Sequence, residues 1–368
     1  MIRFLKKPRR HGAADAPRAD ARPRGGALRA SFAAVLVLGL GAGVAACGGS
    51  NEGEGSSGGG GGSGETIHLV AYSTPETAYT TKLQPGFQDT PEGEGVRFQN
   101  SVGASGEQSR AVEAGLHADI VHLPLEPDIT RLVDAGIISE DYKNNKFNGG
   151  LQNSVVVIGV RPGNPKNIQG WEDLIKDDVE VITPNPFTSG GARWNIMAAY
   201  GSQIAQGKSE EEALDFVHKL LEHTPVQDSS ARESLQTFVN GKGDAFLSYE
   251  NEALGAIDAG EELEYIVPDQ TILIEAKAAV TEDADAPEAA QAFLDWMLTP
   301  DGQRAWAESG YRPVDQKVLK EYEDKYPQPK DLFTIEEFGG WEKVMTEFFD
   351  PEKGKIAEIE RDLGVSTE

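Results

Sequence analysis

Cysteine is nearly absent from this sequence: Cys47 is the only one in 368 residues. An intrachain disulfide is therefore impossible, and a four-cysteine metal site is excluded. Positive charge is also scarce, with 34 Lys/Arg against 60 Asp/Glu and a net charge of −26. Residues 1–46 hold nine of those cations and two of the acids, so the chain from Cys47 onward stands at −33. Such a surface disfavours nucleic acid, which requires basic patches. The longest apolar stretch, Ser31–Val44, falls short of the ~20 residues a membrane-spanning helix needs. Internal repeats of solenoid period are missing. Histidines are few. His117/His122 and His218/His223 are five apart, not the four that set two imidazoles on one helix face. No metal and no cofactor are expected, and His68, with those four, is assigned an ordinary core or surface role.

What the N-terminus does have is a long cationic region, running from Arg3 to Arg29, then Ser31–Val44, then Val44-Ala45-Ala46-Cys47. This is the layout of a secretory signal with small residues before the cleavage point. The last four residues resemble a bacterial lipobox, in which the cysteine sulfur receives a diacylglycerol and becomes the new N-terminus. Residues 1–46 are read as a signal peptide, and 47–65 as a lipidated, Gly/Ser-rich flexible linker with a reach of about 20–25 Å. The expected location is extracytoplasmic, anchored through Cys47 to the bacterial cell membrane.

From Ile67 onward, short apolar runs alternate with helical patterns. Strands are predicted at Ile67–Tyr72, Val96–Asn100, Ile120–Leu123, Val155–Val160, Val179–Thr183, Ala245–Ser248 and Ile272–Ile274. Helices are predicted between several of them, at 107–115, 129–135, 192–200, 210–222, 233–240 and 287–298. Alternation of this kind points to an α/β protein with parallel sheets. The uninterrupted run Ser154–Val160 reads as a strand crossing from one lobe to another, and Tyr265–Ile274 as the return. The expected lobes are 66–153 plus about 265–345, and an inserted 154–264, followed by a helical tail at 346–368.

Four strand-to-helix junctions are rich in small residues. They are Val102-Gly103-Ala104-Ser105-Gly106, Thr188-Ser189-Gly190-Gly191-Ala192, Ser229-Ser230-Ala231-Arg232, and Tyr249-Glu250-Asn251-Glu252. A helix start carries free N–H groups and the positive end of the dipole, and is a ready anion site. In open α/β sheets such loops gather beyond the carboxyl ends of the strands. Junctions from two lobes can therefore surround a small anion with neutral donors, despite an acidic surface that salt screens over about 8–10 Å. Taken singly, each junction reads first as a helix cap or a turn, and only the four together point to a ligand.

Ile182-Thr183-Pro184-Asn185-Pro186, followed by Ser189-Gly190-Gly191-Ala192-Arg193-Trp194-Asn195, resembles the signature of bacterial periplasmic sulfate-binding proteins. Gly163-Asn164-Pro165-Lys166, Trp171, Glu250-Asn251-Glu252-Ala253, Tyr311-Arg312-Pro313 and Phe338-Gly339-Gly340-Trp341 follow in the same order, so the resemblance runs nearly the length of the folded part. It implies a two-lobed, type II periplasmic-binding-protein-like fold closing over one dehydrated sulfate, without a cationic side chain touching the ligand. It implies anion binding by Ser105, Ser189, Gly190, Gly191, Ala231 and Tyr249, with both the backbone and hydroxyl of Ser189 donating. Arg193 and Arg232 would brace the loops. The implied partners are sulfate or thiosulfate and the permease of an ABC importer, with the protein itself a monomer. Two positions depart from the family pattern: Tyr249 stands where the family has tryptophan, and Ser73 where it often has aspartate.

An enzyme reading, such as a lipid-anchored hydrolase, finds no nucleophile–base pair. Gly201–Ser209 looks like a P-loop but has five residues between its glycines where four are required, and follows a helix. A helix end at Gly207 with a capping box at Ser209/Glu212 explains it better. The alternatives to sulfate are another tetrahedral oxyanion or a non-transport receptor.

Overall fold

The computed structural model of the protein describes residues 64–367. The expected signal, Cys47 and nearly all of the linker lie outside those residues.

The chain enters on β1 (Thr66–Tyr72), followed by α1 (Glu76–Ala78), a π-turn (Tyr79–Leu83) and α2 (Gln84–Gln88). Strand β2 (Arg97–Gly103) leads into α3 (Ser105–Glu113), and β3 (Ile120–Leu123) into α4 (Glu126–Asp134). Strands β4 (Gly150–Val160) and β5 (Val181–Ile182) precede α5 (Gly190–Ala205), α6 (Glu210–Glu222) and α7 (Ala231–Val239). Strand β6 (Ala245–Tyr249) runs directly into α8 (Glu250–Asp258). Then come β7 (Glu264–Ile266), β8 (Gln270–Val280), α9 (Pro287–Met297), α10 (Pro300–Glu308) and β9 (Arg312–Pro313). The chain closes with α11 (Gln316–Glu321), β10 (Asp331–Phe333), α12 (Gly340–Glu347) and α13 (Lys355–Asp362).

Two long strands organise these elements. Val155, Val156, Val157 and Ile158 of β4 are all fully buried, as a β-branched run covered on both faces must be. The first half of β4 pairs antiparallel with β8, and its second half with β6. β8 pairs β3 beyond that. One sheet therefore reads β2-β1-β3-β8-β4, and a second β4-β6-β5. β1, β2 and β3 are mutually parallel, as are β5 and β6, whereas β4 and β8 run against their neighbours. The sheets are thus mixed rather than wholly parallel. The crossing strand begins at Gly150, earlier than predicted, and the return crossing extends to Val280.

Helix α5 is buried almost all round, and such a helix needs cover on every side. The chain after β10 supplies it. Phe333, Ile335, Trp341 and Val344 share a core with Trp194, Met197 and Tyr200, and Trp341 meets Trp194 edge-on at 4.7 Å. Residues expected to belong with the first lobe up to 345 therefore pack on the helix that follows β5. Next to α5, the P-loop look-alike is a helix break. Gly207 sits at φ 82°, Ser209 N–H donates to Glu212 Oε2 (2.8 Å), and Glu212 N–H donates back to Ser209 Oγ (3.3 Å).

Helices α3, α5 and α7 each begin two residues before their predicted starts, at Ser105, Gly190 and Ala231. Small residues that look like loop in sequence form the first turns. The expected donors are consequently first-turn helix residues, whose N–H groups have no partner inside the helix.

Candidate functional site

Four helices begin at one place. The residues preceding α3, α5, α7 and α8 are Ala104, Ser189, Ser230 and Tyr249, and all four line one cavity of about 20 Å³. Ser105, Gly190, Gly191 and Ala231 line it too, so the six expected donors converge on a single small volume. The loop after β1, Ser73 and Thr74, and Pro124 after β3 complete the wall. Those two loops and the α3 and α8 starts sit at the carboxyl ends of strands, where α/β sheets collect ligands. Thr74 and Pro124 were not singled out in the sequence, and being at a strand end was their only signal.

In α3, α5 and α8 the preceding side chain makes no bond to its own helix start. Their first-turn N–H groups are unclaimed by side-chain caps, and three dipole ends face the cavity. In α7 the Ser230 hydroxyl does cap, but it accepts from Glu233 N–H (3.3 Å), not from Ala231. Glycine keeps the approach open. A Cβ at Gly190 would stand 2.5 Å from Ser105 Oγ and 2.8 Å from Leu125 Cδ1. One at Gly191 would stand 3.4 Å from Ser189 Oγ and 3.8 Å from the Tyr249 hydroxyl.

Two of the lining groups are buried hydroxyls without a hydrogen-bond partner, Ser105 Oγ and Tyr249 Oη. Each such group costs about 1–3 kcal/mol, and both face the same cavity. Burial, then the neighbouring Tyr72, Glu252 and Asp128, holds the Tyr249 phenol well above its ordinary pKa. It therefore keeps its proton and can donate it. Ser189 differs from expectation. Its N–H already donates to the Asn185 carbonyl at 2.9 Å, which leaves only its hydroxyl for a ligand. Asn185 ties this loop further by accepting from Phe187 N–H at 2.7 Å.

No lining residue is charged. Arg193 donates from Nε to the Pro186 carbonyl (2.7 Å) and lies over the Phe349 ring (5.7 Å). Arg232 is matched by Glu252, with Nε 3.2 Å from Oε2, and also reaches the Thr74 carbonyl at 3.5 Å. Both arginines hold loops rather than enter the cavity.

The Glu250-Asn251-Glu252 segment anchors in three directions. Glu250 accepts two bonds from Arg312, at 2.6 and 2.9 Å, in full burial. Asn251 donates to the Tyr311 hydroxyl (3.0 Å) and accepts from Ser154 (2.9 Å). Glu252 takes Arg232. On the opposite wall, Trp194 Nε1 donates to the Pro124 carbonyl at 2.9 Å, and Asn195 Nδ2 to Thr183 Oγ1 and the Leu247 carbonyl, both at 3.0 Å. These bonds tie the starts of α5, α7 and α8 to the strands and loops around them. The cavity is rich in donors and neutral, and none of its lining residues is a histidine or a carboxylate. It offers neither a metal ligand nor a general base.

Comparison with known proteins gives a concordant picture. The bacterial extracellular solute-binding protein family matches residues 67–312. A sulfate-binding protein of Synechocystis sp. is 40% identical over 292 residues, spanning 77% of this chain and 83% of that one. A thiosulfate-binding protein of Pseudomonas aeruginosa is 34% identical over 283 residues, spanning 73% and 85%. Among solved structures, the sulfate-binding protein SubI from Mycobacterium tuberculosis H37Rv matches with a TM-score of 0.75 at 41% identity, covering 78% of this chain and 100% of that one.

Proposed function

Because the chain belongs to the bacterial extracellular solute-binding proteins, we propose that it binds sulfate, and thiosulfate beside it, outside the cytoplasmic membrane for delivery to an ABC importer. The relatives it matches are named as binding proteins for those two anions. The observation that carries the choice of an anion is the pair of orphaned hydroxyls, Ser105 Oγ and Tyr249 Oη, on a cavity where four helices begin. An anion there accepts from both hydroxyls, from Ser189 Oγ, and from the N–H groups of Gly190, Gly191 and Ala231. Helix dipoles and hydrogen bonds, not a counter-cation, offset its lost hydration. Arg193 and Arg232 position the loops.

Calorimetric titration of anion-stripped protein tests this reading. It expects one sulfate site per chain, with phosphate much weaker. Absence of measurable sulfate heat from anion-stripped, folded protein would falsify it.

The Tyr249 phenol supports a finer reading of selectivity. Unlike a donor-only group, a phenol accepts as well as donates. A protonated oxyanion such as hydrogen phosphate then has somewhere to place its proton, so its rejection is softer than in a cavity of donors alone.

The remaining assignments concern the chain as a whole. Cys47 carries the lipid that anchors the protein, residues 47–65 are the tether, and the first lobe gives up the chain after β10 to the second. Cys47→Ser should release the protein from membranes into the soluble fraction, and unchanged retention would refute the anchor.

A further inference from the structure

We propose that His68, His117, Asp119 and Asp285 form a site for a divalent transition-metal ion of the zinc type, at the end of the first sheet opposite the anion cavity. His68 lies near the start of β1 and Asp119 just before β3, whereas the cavity lies past the ends of those strands. Asp119 N–H donates to the His68 carbonyl at 2.8 Å, which sets the two residues side by side.

The Asp119 carboxylate is fully buried and held from several sides. Oδ2 accepts from His68 N–H at 2.6 Å and lies 2.9 Å from His68 Nδ1. Oδ1 accepts from the N–H groups of Asp285 (2.6 Å) and Ala286 (3.1 Å). The second imidazole is the group in want of a partner. His117 Nε2 is buried and makes no hydrogen bond, yet it stands 3.2 Å from Asp285 Oδ2 and 3.9 Å from Asp119 Oδ1. The two imidazoles meet edge to face at 4.7 Å, and one ligand atom each from His68, His117 and Asp119 fall within 4.8 Å of one another.

Those separations suit one small ion. Zinc bonds to nitrogen and oxygen are about 2.0–2.2 Å long, and tetrahedral geometry then spaces the ligand atoms about 3.3–3.5 Å apart. The 3.2 Å from His117 Nε2 to Asp285 Oδ2 matches that spacing, the 3.9 Å to Asp119 Oδ1 lies a little above it, and the 2.9 Å from His68 Nδ1 to the other Asp119 oxygen a little below. Two imidazoles with carboxylate oxygens favour zinc, copper, nickel or cobalt over magnesium and calcium, which take oxygen ligands. The ion takes the place of the proton between His68 Nδ1 and Asp119 Oδ2, and the neutral imidazole then carries its proton on Nε2. The ion would join β1, the segment before β3 and the loop before α9.

The test uses chelator-treated full-length protein titrated with zinc or cobalt. One equivalent should bind and raise the melting temperature, and cobalt should give the visible absorption of a tetrahedral nitrogen/oxygen site. His117→Ala, a partly exposed position, should bind roughly tenfold or more weakly while melting normally in chelator. His218→Ala, on a separate helix face, should bind like the wild type. No metal-dependent shift in the folded wild-type protein, or an undiminished one in His117→Ala, would overturn the site. Sulfate titration is unaffected either way.

Discussion

The Ser105 hydroxyl faces Gly190 so closely that a Cβ on the glycine would stand 2.5 Å from Oγ. The first residue of α3 and the first residue of α5 thus meet with nothing larger than hydrogen between them. Gly190→Ala should fill the gap. Sulfate affinity should fall roughly 10- to 100-fold, the equivalent of one hydrogen bond to a charged group. The ligand-free protein should lose no more than the ~1–3 kcal/mol of overpacking. Calorimetry with thermal melts separates the two. Undiminished affinity would mean the contact is packing alone.

Tyr249→Phe is expected to split stability from binding. Removing an unpartnered buried hydroxyl should leave the ligand-free protein as stable or more so, while sulfate binding weakens by about 1.5–3 kcal/mol. Tyr249→Trp should restore a donor without an acceptor and widen the preference for sulfate over hydrogen phosphate. A sulfate-to-phosphate ratio identical in the wild type and Tyr249→Trp would contradict the role given to the phenol.

How far these residues could be read in the sequence depended on how local they were. Ser189-Gly190-Gly191 lies within one junction, so the second helix start was legible. That Ser189 spends its own N–H on Asn185 was not, because the turn needs coordinates to see. Helix α10 escaped notice since Gly302 and Gln303 interrupt its apolar pattern, although Gln303 is buried and donates to the Leu151 and Met297 carbonyls. Strand β4 began earlier than predicted because Gln152 and Asn153 look like loop, and only the fold gives Gln152 a buried partner in the Tyr72 hydroxyl. Pairs far apart in the chain, such as His68 with Asp119 and Glu250 with Arg312, leave no periodic trace.

Glu250→Gln tests that last pair. It strands the Arg312 charge in a buried place, and breaking one side of such a pair costs about 3–5 kcal/mol. Urea unfolding should show that loss. A second change, Arg312→Met, should recover part of it, since no charge is then left unmatched. A loss below 1 kcal/mol would show the pair to be solvated.

His122 predicts an acid limb. Its ring lies 2.8 Å from the Tyr79 hydroxyl, and burial holds its pKa down at about 3, against an ordinary 6.5. The folded value is the lower one, so the unfolded chain takes up the proton first as pH falls. The contribution of neutral His122 is complete above pH 6.5 and is lost progressively toward pH 3. Each pH unit inside that window removes up to ~1.4 kcal/mol. His122→Asn should flatten the dependence of unfolding free energy on pH between 6.5 and 4, and an unchanged slope would contradict the assignment.

The most direct test of the central claim is a crystal structure with selenate in place of sulfate, read by its anomalous signal. One peak is predicted in the cavity between Ser105, Gly190, Ala231 and Tyr249, within hydrogen-bond reach of both orphaned hydroxyls and of no arginine. A peak beside Arg193 or Arg232 with that cavity empty, or no peak in protein that binds sulfate in solution, would contradict it.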